Sequence, residues 1–165
     1  MRITTMKSSE LLQLASENLE YRDGHLYWLK SRGNRLAGDQ AGCLETNGYR
    51  TIKVNRKLYK EHRLIFLMFN PTWDIFDYSL EIDHINCERN DNRIENLRLV
   101  TRQENAFNET KSKGYNWHKR RQKFRARIKI NGEDKHLGYF DNEEDARSAY
   151  LKAKKELHII KDRSL

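Results

Sequence analysis

The stretch Glu81–Asn108, EIDHINCERNDNRIENLRLVTRQENAFN, constrains this chain more than any other. A short strand-like run ends in the adjacent pair Asp83-His84, and a very polar, turn-rich loop follows from Asn86 to Asn92. Ile94–Val100 reads as a second strand. Thr101 and Glu104 form a Thr-x-x-Glu capping box, which predicts a helix starting there, with Asn105 on its first or second turn. The order is strand, loop, strand, helix, with oxygen donors at both ends.

Those residue types suit phosphodiester cleavage. Asp83 offers a carboxylate oxygen and Asn105 an amide oxygen, a hard donor set for Mg²⁺ or Mn²⁺. Two protein ligands leave coordination positions for a scissile phosphate and a leaving oxygen. His84 follows Asp83 but points to the other side of the strand, where a neutral imidazole can take the proton of an attacking water. A polar surface hairpin with incidental Asp, His and Asn is the alternative, and the joint order of the residues argues against it.

The segment IDHINCERNDNRIENLRLVTRQEN resembles the core of the HNH endonucleases, the ββα-metal nucleases. The branch it resembles is that of phage and intron homing endonucleases, with D-H, then N-x-x-x-N-L-R, then E-N. The resemblance spans Tyr49–Asn108 and implies roles residue by residue. His84 is the general base, Asp83 and Asn105 are the metal ligands, and Asn96 is the central asparagine that pins the loop through backbone hydrogen bonds. Asn105 stands where other branches carry the last histidine.

The rest of the chain frames this motif. With 165 residues there is room for one medium domain or two small ones, and a net charge of +8 with pI near 9.5 suits a nucleic-acid partner. Cys43 and Cys87 lack zinc-site spacing and do not suggest a disulfide framework, which fits a reducing compartment. No apolar run reaches the ~18 residues of a membrane span, and MRITTMKSSE lacks a signal-peptide core. Ser8 or Ser9 is expected to cap a first helix carrying Leu11, Leu12, Leu14 and Ala15. Asp23-Gly24 predicts a hairpin, Ser31–Gly42 reads as a solvated loop, and Tyr49–Val54 pairs back with Lys57–Tyr59 across Asn55-Arg56. His62–Phe69 is the most apolar run and reads as a buried helix ending before Asn70-Pro71. Two readings stay open for His62 and Arg63: contact with DNA, or a structural role.

Beyond a polar linker, Glu109–Lys113, the composition turns basic. Phe124, Ala126, Ile128 and Ile130 face one way on a strand while Arg125, Arg127 and Lys129 face the other. Asn131-Gly132 turns into a third strand, and Asp141 with Glu144 is expected to cap a helix carrying Ala146, Ala149, Tyr150, Ala153 and Leu157. The segment KGYNWHKRRQKFRARIKINGEDKHLGYFDNEEDARSAY resembles the apetala/ethylene-response-factor DNA-binding domain. Its strands then supply DNA contacts from Asn116, His118, Arg120, Lys123, Arg125, Arg127 and His136, with Lys129 completing the cationic row. Phe124 and His136 stand where the plant proteins often carry Trp. Guanidinium forks suit base edges, so Arg125 and Arg127 are expected to read bases while Lys123 and Lys129 touch phosphate.

The expected architecture is α+β: a ββα-metal HNH nuclease domain over 1–109, then a three-stranded antiparallel sheet plus helix over 110–165. The expected function is site-specific, Mg²⁺-dependent cleavage of double-stranded DNA by a homing-type HNH endonuclease. It would act as a monomer rather than a homodimer, in the cytoplasm, the host's if the chain is phage-encoded. The alternatives are a restriction or repair-type nuclease, or a DNA-binding regulator with an inactive nuclease motif.

Overall fold

Helix α1, Ser8–Asn18, buries Leu11 and Ala15 and places Leu12 and Leu14 against the same core. The expected serine cap is not used. Lys7 holds the N-cap position without a side-chain cap, while Ser8 Oγ donates to Asp74 and accepts from the Ile75 amide. A long-range partner has taken the hydroxyl away from its own helix. This computed structural model describes residues 6–108 and 112–163. Glu109, Thr110 and Lys111, and with them the domain boundary expected at 109/110 and most of the linker, lie outside the described residues.

Strands β1, Leu19–Arg22, and β2, His25–Trp28, form an antiparallel hairpin. Its turn carries positive φ at both Asp23 (43°) and Gly24 (84°), as a tight two-residue connection demands. A Cβ on Gly24 would lie 2.9 Å from the Arg93 amide nitrogen, so only glycine lets the hairpin tip reach that backbone. Strands β3 (Cys43–Leu44), β4 (Arg50–Val54) and β5 (Lys57–Lys60) make a second antiparallel sheet in the order β3-β4-β5. Helix α2, Glu61–Phe69, buries Leu64 to Leu67 at the centre of the larger core, with Ile52, Trp73 and Ile75 around it. It ends at Asn70, before Pro71, whose ring disfavours helix at the preceding residue.

The nuclease-like stretch follows. Strand β6, Leu80–His84, pairs with β7, Leu97–Thr101. The second strand was expected from Ile94, but Ile94–Asn96 is a single 3-10 turn, because the Asn96 amide donates back to Arg93 O and the Leu97 amide to Ile94 O. Helix α3, Arg102–Asn108, starts with the predicted box. The Thr101 amide (2.9 Å) and Thr101 Oγ1 (2.8 Å) donate to Glu104 Oε2, and the Glu104 amide returns a bond to Thr101 Oγ1 at 3.3 Å.

Contacts divide the chain into two units, residues 1–99 with 162–165, and residues 100–161. In the first, the Arg163 amide donates to Leu99 O at 2.9 Å, which ties the far end of the chain to β7. The second is built on β8 (Tyr115–His118), β9 (Lys123–Ile130) and β10 (Glu133–Phe140), antiparallel in the order β10-β9-β8. Helix α4, Glu143–Leu157, packs Tyr150 and Ala153 on Ile128. Its cap is Asn142, one residue later than expected: Asn142 Oδ1 accepts from the Asp145 amide at 2.8 Å. Gly114 touches the Tyr150 ring, which a Cβ would enter at 2.0 Å. The architecture is α+β, with small antiparallel sheets and helices in both units.

Candidate functional site

β6 ends on Asp83-His84, both only 5% exposed. Adjacent residues of a strand face opposite ways, so the pair serves two environments. Asp83 Oδ2 accepts from Arg98 Nε at 2.8 Å and Nη2 at 2.6 Å. The arginine of the N-L-R run thus binds the aspartate's carboxyl group from the neighbouring strand.

His84 Nε2 lies 2.9 Å from Asn92 Oδ1, and its ring meets the His62 ring edge-on at 5.0 Å. Burial lowers the His84 pKa, against the raising effects of the Asn92 hydrogen bond and the Asp83 charge. The imidazole is thus neutral at physiological pH, the form that accepts a proton. Asn92 is itself 1% exposed, and its Nδ2 donates to Glu61 Oε2 at 2.8 Å. Glu61 is fully buried, and its Oε1 accepts from the Leu26 amide at 2.9 Å. His25 Nδ1 stands 3.3 Å and Arg50 Nε 3.8 Å from Glu61 Oε2. Sequence reasoning missed Asn92, Glu61, His25 and Arg50 as a group. Asn92 had a signal, as the first asparagine of N-x-x-x-N-L-R. Glu61 reads in sequence as an ordinary acid in a first helical turn.

Asn96 spans the loop after β6. Its Oδ1 accepts from the Asn86 amide at 3.0 Å, and its Nδ2 donates to Asn86 Oδ1 at 3.0 Å and Asp91 O at 2.7 Å. Arg93 clamps Asp91 with bonds of 2.8 and 2.7 Å, and this guanidinium pulls the Asp91 pKa down to about 2. One amide thus closes a ten-residue loop. Asn96→Ala should remove three loop hydrogen bonds, to the Asn86 amide, Asn86 Oδ1 and Asp91 O, at about 0.5–1.5 kcal/mol each. Thermal denaturation should show a lower Tm, and cleavage at a fixed temperature should fall with it. A variant with wild-type Tm and no cleavage would instead place Asn96 in the chemistry.

His62 is 8% exposed, between the Tyr49 ring (5.3 Å) and His84. Its pKa is pushed well down, first by burial and then by unfavourable electrostatic interaction with His84, Arg63 and Lys60. The unfolded chain takes up a proton near pH 6.5 while the native ring does not. This contribution to stability is therefore complete above about pH 6.5 and is lost as pH falls below it, at up to ~1.4 kcal/mol per pH unit. Between pH 7.5 and 5.5 the wild-type Tm should drop more than that of His62→Phe; parallel curves would refute this. Arg63 has a structural place, donating to Ile75 O and lying over the Trp73 and Tyr78 rings.

Asn105 sits half-buried on α3, in the second unit. Among the described residues no group of three or more His, Cys, Asp and Glu could hold a metal. The donors still fit a hard cation. Asp83 offers carboxyl oxygens beside the Arg98 guanidinium, a carboxylate can bridge a guanidinium and a cation, and Mg²⁺ takes few protein ligands and retains waters.

On the β8–β10 sheet the register decides which side chains share a face. Asn116 is opposite Arg125, His118 opposite Lys123, and His136 opposite Arg127. With Lys129 these seven line the face away from Ile128 and α4, and Arg120 lies in the β8–β9 turn. The row is not purely cationic. Arg127 Nη1 pairs with Asp134 Oδ2 at 3.0 Å, and Lys123 Nζ with Asp141 Oδ1 at 2.9 Å. Arg125 Nη2 lies 3.4 Å from Asn116 Oδ1.

Residues 59–107 match a family model described as HNH endonuclease. The match covers less than a third of the chain and includes Asp83, His84, Asn96 and Asn105. It supports an HNH nuclease, a hydrolase of phosphodiester bonds acting on DNA, and HNH nucleases generally use a divalent metal. No curated protein and no solved structure matches the chain. None of the described helices is long and apolar enough to cross a membrane.

Proposed function

We propose that this protein is a site-specific, Mg²⁺-dependent HNH endonuclease of the homing type, with its nuclease part over 1–109 and a sheet-type DNA-binding module over 110–165. The observation that carries this reading is the buried Asp83-His84 pair, with the carboxyl group bonded by Arg98 and the imidazole held neutral by burial. His84 takes the proton of the attacking water as the new P–O bond forms and the P–O bond to the leaving oxygen breaks. Asp83 and Asn105 would hold the cation, which when bound stabilises charge developing on the phosphate and the leaving oxygen. Asn96 keeps the loop after β6 in register. Asn116, His118, Arg120, Lys123, Arg125, Arg127, Lys129 and His136 supply the grip on double-stranded DNA, and the protein works as a monomer.

The test is a cleavage map on genomic phage DNA with Mg²⁺, with Mn²⁺ and with EDTA. Cleavage at one defined locus, lost in EDTA, is expected. Many short sites would favour a restriction enzyme. Tight binding without cleavage would favour a regulator, and full activity in chelator would sink the metal mechanism.

A further inference from the structure

Glu61 is a fully buried carboxylate that the chemistry above does not use. Burying a charge costs several kcal/mol unless it is well bonded. Glu61 is bonded on both oxygens, by the Leu26 amide and by Asn92 Nδ2. That second bond sets the orientation of Asn92. A carboxylate only accepts, so the Asn92 NH₂ must face Glu61 and its Oδ1 must face His84. An amide oxygen also only accepts, so His84 Nε2 must carry the proton. The lone pair is left on Nδ1. Three side chains thus fix one tautomer through two hydrogen bonds of 2.8 and 2.9 Å.

Resting on the assignment of His84 as general base, we infer that Glu61 is a positioning residue which, through Asn92, holds His84 as the Nε2–H tautomer with Nδ1 as the basic atom. A base oriented by a third group is the general logic of activated water and hydroxyl nucleophiles. Here the third group acts from the first turn of α2, far from β6 in sequence. During the reaction Nδ1 receives the water proton, the imidazolium keeps its Nε2–H bond to Asn92, and the proton later passes to solvent.

Glu61→Gln separates this role from simple packing. A glutamine is close in shape but has one acceptor where the carboxylate has two. With its oxygen on the Leu26 amide, its NH₂ faces Asn92. Asn92 then turns its oxygen to the glutamine and its NH₂ to His84, and the ring must switch to Nδ1–H, occupying the basic atom. The full-length protein should be compared with Glu61→Gln, Asn92→Ala and His84→Ala, using Mg²⁺ and supercoiled plasmid. Single-turnover rates, DNA affinity and long-range ¹H–¹⁵N spectra of the His84 ring are the readouts.

Wild type should show Nε2–H. Glu61→Gln should show Nδ1–H, near wild-type DNA affinity and a rate lower by about 10²-fold or more. Asn92→Ala should populate both tautomers and lose about 10–100-fold. If Glu61→Gln keeps Nε2–H, or switches tautomer while cleaving at the wild-type rate, the inference is overturned. Should Glu61→Gln not fold, an Asn92→Ala protein that keeps Nε2–H and the wild-type rate overturns it as well. Wild-type cleavage by His84→Ala would bring down the assignment of the base itself, a separate failure.

Discussion

His84→Ala should slow DNA cleavage by about 10²–10⁴-fold, the usual cost of losing a general base, and leave DNA affinity close to wild type. The affinity claim follows from the ring's position. His84 is buried at the end of β6 and neutral, so its loss removes no charge from any surface that meets phosphate. The substitution also has a stability cost. It strips Asn92 Oδ1 of its partner and opens space beside His62, so about 1–3 kcal/mol should be lost. Cleavage is therefore to be measured in single turnover well below the variant's Tm. A wild-type rate in folded His84→Ala would end the assignment. A parallel fall in rate and affinity would mean that the ring helps to hold DNA.

Much of the nuclease part could be read from local signals. The Thr101–Glu104 box, the Asp23-Gly24 turn and the Pro71 stop act over a few residues, and the structure shows each of them. The pattern N-x-x-x-N-L-R was visible too, but only as letters. That Arg98 faces Asp83 follows from the pairing of β6 with β7, which no local signal states. Glu61 was illegible for the same reason, since its partners Leu26 and Asn92 come from a hairpin 35 residues before it and a loop 31 residues after it. The two misplaced caps differ in cause. At Ser8 the hydroxyl bonds to Asp74 and the Ile75 amide instead of its own helix, whereas at Asp141 the next residue, Asn142, takes the cap and accepts from the Asp145 amide. The 3-10 turn at Ile94–Asn96 left a trace in the sequence, because the spacing of three from Ile94 to Leu97 breaks the period of two that Leu97 and Leu99 keep.

The alternation in β9 did reveal a sheet with one apolar and one basic face, but it could not show acids reaching that face from β10. Asp134 pairs with Arg127 while both side chains are about half exposed, 53% and 49%. Exposed pairs contribute little, ~0–1 kcal/mol, so a phosphate can displace the carboxylate cheaply, yet the carboxylate still repels the phosphate. Asp134→Asn should therefore tighten binding to any duplex. Replacing Arg125, Arg127 and Lys129 together by alanine should do the reverse and have the larger effect. Each phosphate contact contributes roughly −0.9 to the slope of log K against log salt, so losing Lys129 should flatten it by about 0.9, while the loss of the two base-reading arginines should show as lower affinity for the cognate duplex. Arg125 is set apart from the others. Its Nε is buried without a hydrogen-bond partner among the described residues, and its Nη2 lies 3.4 Å from Asn116 Oδ1. A guanidinium fork suits a guanine edge, and Arg125→Ala should cost about 1–3 kcal/mol on the cognate duplex and far less on a scrambled one. Titrations of each variant on both duplexes across a salt series measure all three effects. If the triple variant keeps the wild-type slope and affinity, this face does not hold DNA, and the grip has to be sought on the unit that carries Asp83 and His84.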